Sequence, residues 1–242
     1  MRQSCIHTSL SLSSTGSVEL TGAASHYLAR VLRLSEGDSV TLFNGDGNDY
    51  LGEVCDIQPK RVRLKLLGSS LPDNESPLKI TLVQAINRGE RMDYSLQKAT
   101  ELGVFCIQPL TSRRVEVRLD EKRQAKRLAH WQGVVVSACE QSGRAIVPEV
   151  KPPLSFAEWL LATDGSPRLI LDPTAQVQLS SFSSEERAVS ILVGPEGGFS
   201  NEEIAQAQAS GVMAVSLGPR VLRTESAGPA AIAVLQVAAG DF

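Results

Sequence analysis

Two short segments near the C-terminal end carry the residues whose types and spacing could do chemistry. The first is Gly194-Pro195-Glu196-Gly197-Gly198-Phe199, which leaves an apolar run ending at Val193. Ser200 follows it and Glu203 comes three residues later, the spacing of a helix capping box. Strand, glycine loop and capped helix in that order form the architecture of a nucleotide site. Glycines let backbone amides approach a ligand closely, and the crevice opens at the carboxyl ends of the strands. Neither GxxxxGK(S/T) nor GxGxxG is present, so the loop is not one of the standard phosphate cradles. A plain tight strand-to-helix turn has the same composition.

The second segment is Ser216-Leu217-Gly218-Pro219-Arg220-Val221-Leu222-Arg223-Thr224-Glu225-Ser226-Ala227. It again leaves a short apolar run and enters a helix, with Thr224 as the expected cap. Glu225 in the first turn suits the positive end of the helix dipole. Arg223 opposes that dipole, so a cation at this position points to an anionic partner. Metal chemistry has little support. Cys5, Cys55, Cys106 and Cys139 are scattered without a CxxC pair, and His7, His26 and His130 are isolated. Reduced thiols and no metal are expected.

These segments need a scaffold to hold them. The chain has 242 residues, 42% of them apolar and 21% charged, enough for a core without disulfides or metals. No stretch approaches the roughly 20 apolar residues that cross a bilayer. MRQSCIHTSL lacks the apolar centre of a signal peptide. A cytoplasmic protein with no membrane partner is expected. The net charge of −3 argues against a blanket nucleic-acid binder, but charge is uneven. Residues 1–72 carry seven basic and seven acidic groups, residues 73–151 thirteen and ten, and residues 152–242 four and ten. Basic groups gather in Lys60-Arg61-Arg63-Lys65, Arg113-Arg114-Arg118 and Lys122-Arg123-Lys126-Arg127. A localised basic face can select one RNA even when the total is acidic. Each cluster also reads as an ordinary solvated face.

The boundary between two folding units is expected at Leu71-Pro72-Asp73-Asn74-Glu75-Ser76-Pro77, with domains 1–72 and 73–242. Before it, Val40–Phe43, Tyr50–Ile57 and Arg61–Leu67 read as strands, and Asn44-Gly45-Asp46-Gly47 as a hairpin turn. One helix is expected from Gly22 to Leu34, with Thr21 as its cap. The first domain therefore reads as a small β-barrel with a helix. After the boundary, strands alternate with helices. Strands are expected at Ile80–Ile86, Val104–Leu110, Leu169–Leu171, Val189–Val193 and Met213–Leu217. Helices are expected at Met92–Leu102, ended by Gly103, at Glu121–Gln141, and from Thr224 to about Ala238. Such alternation implies an α/β domain with a mainly parallel sheet.

GPEGGFS and LGPRVLRTESA, in that order, resemble the RsmE family of small-subunit ribosomal RNA methyltransferases, members of the SPOUT superfamily. The likeness extends over the chain. Arg91-Met92-Asp93, Gln97 to Val104, and Glu140-Gln141-Ser142-Gly143-Arg144 are similar to its helical signatures. His26, Val31-Leu32-Arg33-Leu34 and Gly37-Asp38 are similar to its PUA-like RNA-binding domain. The chain departs from the pattern at Tyr27, where the family often has a second histidine, and at Thr111-Ser112-Arg113-Arg114.

The resemblance implies a C-terminal trefoil-knotted domain behind a PUA-like barrel, and a homodimer. It implies S-adenosylmethionine as donor and N3 of one uridine of 16S ribosomal RNA as acceptor. Adenine and ribose would meet backbone around Leu171, Gly194, Gly197, Ser216, Leu217 and Leu222, with Pro195, Gly198, Gly218 and Thr224 completing the two loops. RNA contacts are expected at Arg30, Arg33, Arg88, Arg91, Arg113 and Arg114. Arg223 is expected to stabilise the uridine anion and Glu225 or Glu196 to take the proton. Two other readings compete: a non-catalytic ribosome-assembly factor with an inactive knot, and an unrelated nucleotide-binding α/β enzyme.

Overall fold

The computed structural model describes residues 4–114, 121–163, 165–183 and 186–242; Arg118 of the second basic cluster lies outside them. The chain forms two compact units. The first contains β1 (Cys5–His7), β2 (Gly16–Thr21), α1 (Gly22–His26), β3 (Ser39–Phe43), β4 (Asp49–Gln58) and β5 (Arg61–Ser70). Its five strands make one sheet in the order β1-β3-β4-β5-β2. The expected strands alternate as their sequence does: in β5, Val62, Leu64 and Leu66 face the core and their neighbours face out. The expected hairpin turn joins β3 and β4, and Asp46 N–H bonds to Asn44 Oδ1 inside it.

Two expectations change. The barrel is open: among the described residues no ladder joins β1 to β2. Register shifts in the β4–β5 ladder, at Leu51/Gly52 and Val54/Asp56, are of the kind that bend a sheet. Leu28 is fully buried in the core that all five strands share. The helix is also shorter than its pattern. It passes into a π-turn over Tyr27–Val31, and Arg33 leaves it at φ 53. Thr21 holds the N-cap position without using its side chain, and Gly22 follows it at φ 64.

The first unit spans Met1–Glu75 and also takes in Cys139–Val147, which contains the Glu140-to-Arg144 signature. Side-chain bonding explains the annexation. His7 N–H donates to Glu140 Oε1 at 3.0 Å. Arg144, only 4% exposed, grips both oxygens of Glu75 at 2.9 and 2.6 Å. A sequence pattern cannot announce this, since the partners lie 69 and 133 positions apart.

The second unit holds β6 (Lys79–Ala85), α2 (Glu90–Glu101), β7 (Cys106–Thr111), the greater part of α3 (Glu121–Ser142), β8 (Glu149–Val150), β9 (Leu154–Ser155), α4 (Phe156–Leu161), β10 (Arg168–Leu171), β11 (Ala188–Val193), α5 (Asn201–Ala209), β12 (Met213–Val215) and α6 (Thr224–Ala239). Its sheet is parallel, in the order β12-β10-β11-β6-β7-β8, with β9 beside β7. The strand β11 is inserted between β10 and β6. Its last five residues are buried, as befits a strand covered on both faces. α6 packs on α2. Gln236, fully buried, fastens it by donating to the Leu102 carbonyl at 2.9 Å and accepting from Ser76 at 2.6 Å. No described helix is long and apolar enough to cross a membrane.

Candidate active site

Three strands of the second unit end at one cavity. β10 delivers Leu171, β11 delivers Val193 and Gly194, and β12 delivers Val215 and Ser216. The cavity is about 670 Å³, within the range that takes a drug-sized ligand. It sits where carboxyl strand ends place ligands in open α/β sheets.

The first loop follows its local sequence. Ser200 Oγ accepts from Glu203 N–H at 3.2 Å and Glu203 Oε2 accepts from Ser200 N–H at 2.9 Å, closing the expected capping box at the start of α5. Glu203 is 2% exposed, and its other oxygen accepts from Arg113 N–H at 3.0 Å. Gly194 is closely packed: a Cβ there would lie 3.1 Å from the Phe199 ring, tighter than an ordinary contact. That ring packs on Phe156, with centroids 5.6 Å apart. Gly198 turns at φ 65, a region that glycine enters freely.

The second loop departs from its local sequence. The N-cap of α6 is Arg223, which offers no capping oxygen, and Thr224 is already the first helical residue. The Thr224 hydroxyl instead donates to the Gly194 carbonyl at 2.6 Å. At its other end the loop is pinned by backbone: Ser216 N–H donates to Val177 O at 2.9 Å and Leu179 N–H to Ser216 O at 2.8 Å.

Of the residues expected at the site, Leu171, Gly194, Pro195, Glu196, Gly198, Ser216, Leu217, Gly218, Leu222, Arg223, Thr224 and Glu225 all line this cavity. Gly197 does not. Its carbonyl accepts from Arg114 Nη1 at 2.6 Å, and a Cβ at Gly197 would touch the Arg114 stem at 3.4 Å. The loop turns this residue outward while its neighbours face in. Arg91, expected on RNA, is on the wall. Its guanidinium lies 3.2 Å from Glu196 and 3.9 Å from Glu225, and Arg223 lies 4.0 Å from Glu225. Arg113 and Arg114 reach the glycine-loop side: Arg113 approaches Glu202 at 3.9 Å. Hydrogen bonding to Ser200 holds the Glu202 carboxyl below its ordinary value. Arg88 is exposed. Arg30 and Arg33 belong to the other compact unit, exposed on and just beyond the π-turn.

The structure adds wall residues that the sequence reading passed over, Asp172, Asn201 and Ile204, and places Arg220 of the second segment on the wall as well. Asp172 was legible as an acid directly after a buried strand. It is 9% exposed and accepts from Thr174 N–H and Oγ1, both at 2.8 Å, which holds its carboxylate in place. Arg91, Arg220 and Arg223 share the wall with Asp172, Glu196 and Glu225. The floor between them is apolar, with Val193, Phe199, Ile204, Val215, Leu217 and Ala227. A charge-balanced rim on an apolar floor fits a nucleoside ligand bearing a zwitterionic tail. No group of three or more potential metal-ligating side chains occurs among the described residues.

A parallel sheet with a glycine loop, a capped helix and a cavity at its strand ends defines a nucleotide-binding α/β class. Comparison with known proteins narrows it. The RNA methyltransferase domain profile matches residues 74–236, and the RNA methyltransferase PUA domain profile matches residues 20–67. The ribosomal RNA small subunit methyltransferase E of Buchnera aphidicola is 34% identical over 226 residues, 93% of this chain and 92% of that one. The protein of that name from Neisseria gonorrhoeae, solved bound to S-adenosyl methionine, is 40% identical with a TM-score of 0.93, and each chain is covered completely. A Legionella pneumophila protein solved with the bound cofactor SAM is 37% identical with a TM-score of 0.95, again over all of both chains. The chain belongs to the ribosomal RNA small subunit methyltransferase E family of RNA methyltransferases, and its N-terminal unit is PUA-like.

Proposed function

We propose that this protein methylates N3 of one uridine in 16S ribosomal RNA, with the cavity at the ends of β10, β11 and β12 as the donor site. The observation that carries the reading is the convergence of both loop motifs on one nucleoside-sized cavity with an arginine–carboxylate rim. S-adenosylmethionine, when bound, supplies an electrophilic methyl group on a sulfonium. Leu171, Gly194, Ser216, Leu217 and Leu222 would hold its adenosine, and the charged rim its amino-acid tail.

The chain's own residues must supply a deprotonated nitrogen. Uridine N3 carries a proton that leaves only at mildly basic pH. The new N3–C bond forms as the S–C bond breaks, and the N3 proton passes to a protein base. Arg223, with a side chain 78% exposed at the mouth, is free to meet incoming RNA and to stabilise the developing uridine anion. Glu225 and Glu196 are the two carboxylates within reach of Arg91, and one of them takes the proton. Much of the remaining rate comes from holding nitrogen and methyl in line.

Residues 1–72 are proposed to carry the RNA on Arg30 and Arg33, and residues 73–242 to carry the chemistry. The insertion of β11 between β10 and β6, with α6 packed on α2, supports a trefoil-knotted C-terminal end. The protein is further proposed to act as a cytoplasmic homodimer on the small ribosomal subunit. The deciding experiment is mass spectrometry of nucleosides from 16S RNA incubated with protein and S-adenosylmethionine. N3-methyluridine is expected, with a reverse-transcription stop at one position because the methyl removes the pairing proton. A methyl on another atom, or none, overturns the assignment.

A further inference from the structure

Two amides are buried behind the donor cavity. Gln84, in β6, and Asn87, just beyond it, are 0% and 1% exposed and do not line the cavity. Both address the hydroxyl of Thr224. Gln84 Nε2 donates to Thr224 Oγ1 at 3.2 Å, and Asn87 Oδ1 lies 3.3 Å from it. The Gly194 carbonyl lies on the same hydroxyl at 2.6 Å. A hydroxyl has one proton and two lone pairs. It cannot donate to both Asn87 Oδ1 and Gly194 O, and in that arrangement Asn87 Nδ2 is buried with no partner. Turning the Asn87 amide over removes the competition for that proton, because its oxygen and nitrogen occupy equivalent positions. Thr224 then accepts from two amides, and its single proton is directed to Gly194.

We propose that Thr224 is a positioning residue for methyl transfer. Its hydroxyl, aimed by Gln84 and Asn87, ties the first residue of the glycine loop to the first residue of α6 and so holds the two walls of the cavity at the spacing the donor requires. The proposal rests on the reading of this cavity as the donor site. A capping role does not account for the hydroxyl, since α6 has Arg223 as its N-cap and Thr224 makes no cap bond. A second tie between the loops, Arg91 across Glu196 and Glu225, is partly exposed at its guanidinium, and exposed pairs contribute little. A buried hydroxyl between two amides and a carbonyl works at low dielectric, where each bond is stronger and each loss costs more.

Thr224→Val keeps the shape and removes the hydroxyl, whereas Thr224→Ser keeps the hydroxyl. Full-length variants shown to be folded by circular dichroism are titrated calorimetrically with S-adenosylmethionine. The expected result is a donor Kd raised about 10-fold or more in Thr224→Val and nearly unchanged in Thr224→Ser. Single-turnover methylation at subsaturating donor should fall in parallel with the lost affinity in Thr224→Val and recover in Thr224→Ser. A threonine that only filled space would be rescued by valine and not by serine. If Thr224→Val does not fold, Asn87→Ala leaves the hydroxyl but removes one of the amides that aim it, and a Kd raised about 5-fold is expected. Wild-type affinity in a folded Thr224→Val or Asn87→Ala overturns the proposal, as does equal loss in valine and serine variants. Leu217→Trp, which fills the cavity, separates the two levels. If it abolishes donor binding while Thr224→Val does not, the tie alone is wrong. If it too binds normally, the cavity is not the donor site.

Discussion

The two loops that wall the cavity start helices by different rules. At the glycine loop, Ser200 and Glu203 satisfy the free N–H groups of α5 with their own side chains, as their spacing requires. At the second loop, Arg223 occupies the cap and Thr224 spends its hydroxyl on Gly194, 30 residues away. The first loop completes itself locally and then lines the cavity. The second leaves its helix end uncapped, with a guanidinium at the positive end of the dipole. Uncapped N–H groups and a cation held at one point form a place of positive potential, which a local cap would have weakened. A local cap would favour helix stability, whereas this end favours an anion near Arg223.

The contrast can be broken most directly at Arg223. Arg223→Ala removes the cation from the uncapped end, so the fold should be unharmed. Turnover should fall about 100-fold or more, as for other lost transition-state donors, with donor affinity nearly unchanged. Single-turnover rates at saturating donor measure this, and raising the pH should return part of the rate because hydroxide can then remove the N3 proton. Near-normal turnover at neutral pH would take Arg223 out of the chemistry.

Gly194→Val tests the close packing under the first loop. The added methyls must displace Phe199, which sits 3.1 Å from the Cβ position. Overpacking of this kind costs about 1–3 kcal/mol, and donor binding should become undetectable by calorimetry while the chain still melts cooperatively. Gly197→Val should do less, since its side chain points toward Arg114 and away from the cavity. Equal loss of donor affinity in both variants would mean that the loop reorganises on binding.

Arg30→Glu with Arg33→Glu carries the contrast to the other unit. Ribosomal substrate should bind more weakly, and the log–log salt slope should flatten by about 1 for each phosphate that the variant no longer neutralises. Donor affinity should not move. An unaltered salt slope would assign these arginines to the unit's own structure.

The smallest effect is expected at the self-sufficient cap. Ser200→Ala should lower stability by about 1 kcal/mol in a denaturant titration and change donor affinity little. A loss of donor affinity as large as that of Gly194→Val would erase the distinction between the loops.

Much of this molecule could be read along the chain. The alternation of β4 and β5, the buried run of β11 and the Ser200–Glu203 box depend on neighbours a few residues apart, and periodicity and capping are rules of that range. The glycine loop and the arginine-rich loop were recognisable for the same reason. The orientation of Gly197, the turn of the Thr224 hydroxyl away from its helix, the passage of α1 into a π-turn and the annexation of Cys139–Val147 were not. Each is settled by a partner far away in sequence: Arg114, Gly194, the shared core around Leu28, and Glu75 with His7. Sequence spacing determined which segments become strands, helices and ligand loops. Only the folded chain decided which face of each loop lines the cavity, because buried hydrogen-bonding groups must find partners wherever the tertiary structure supplies them.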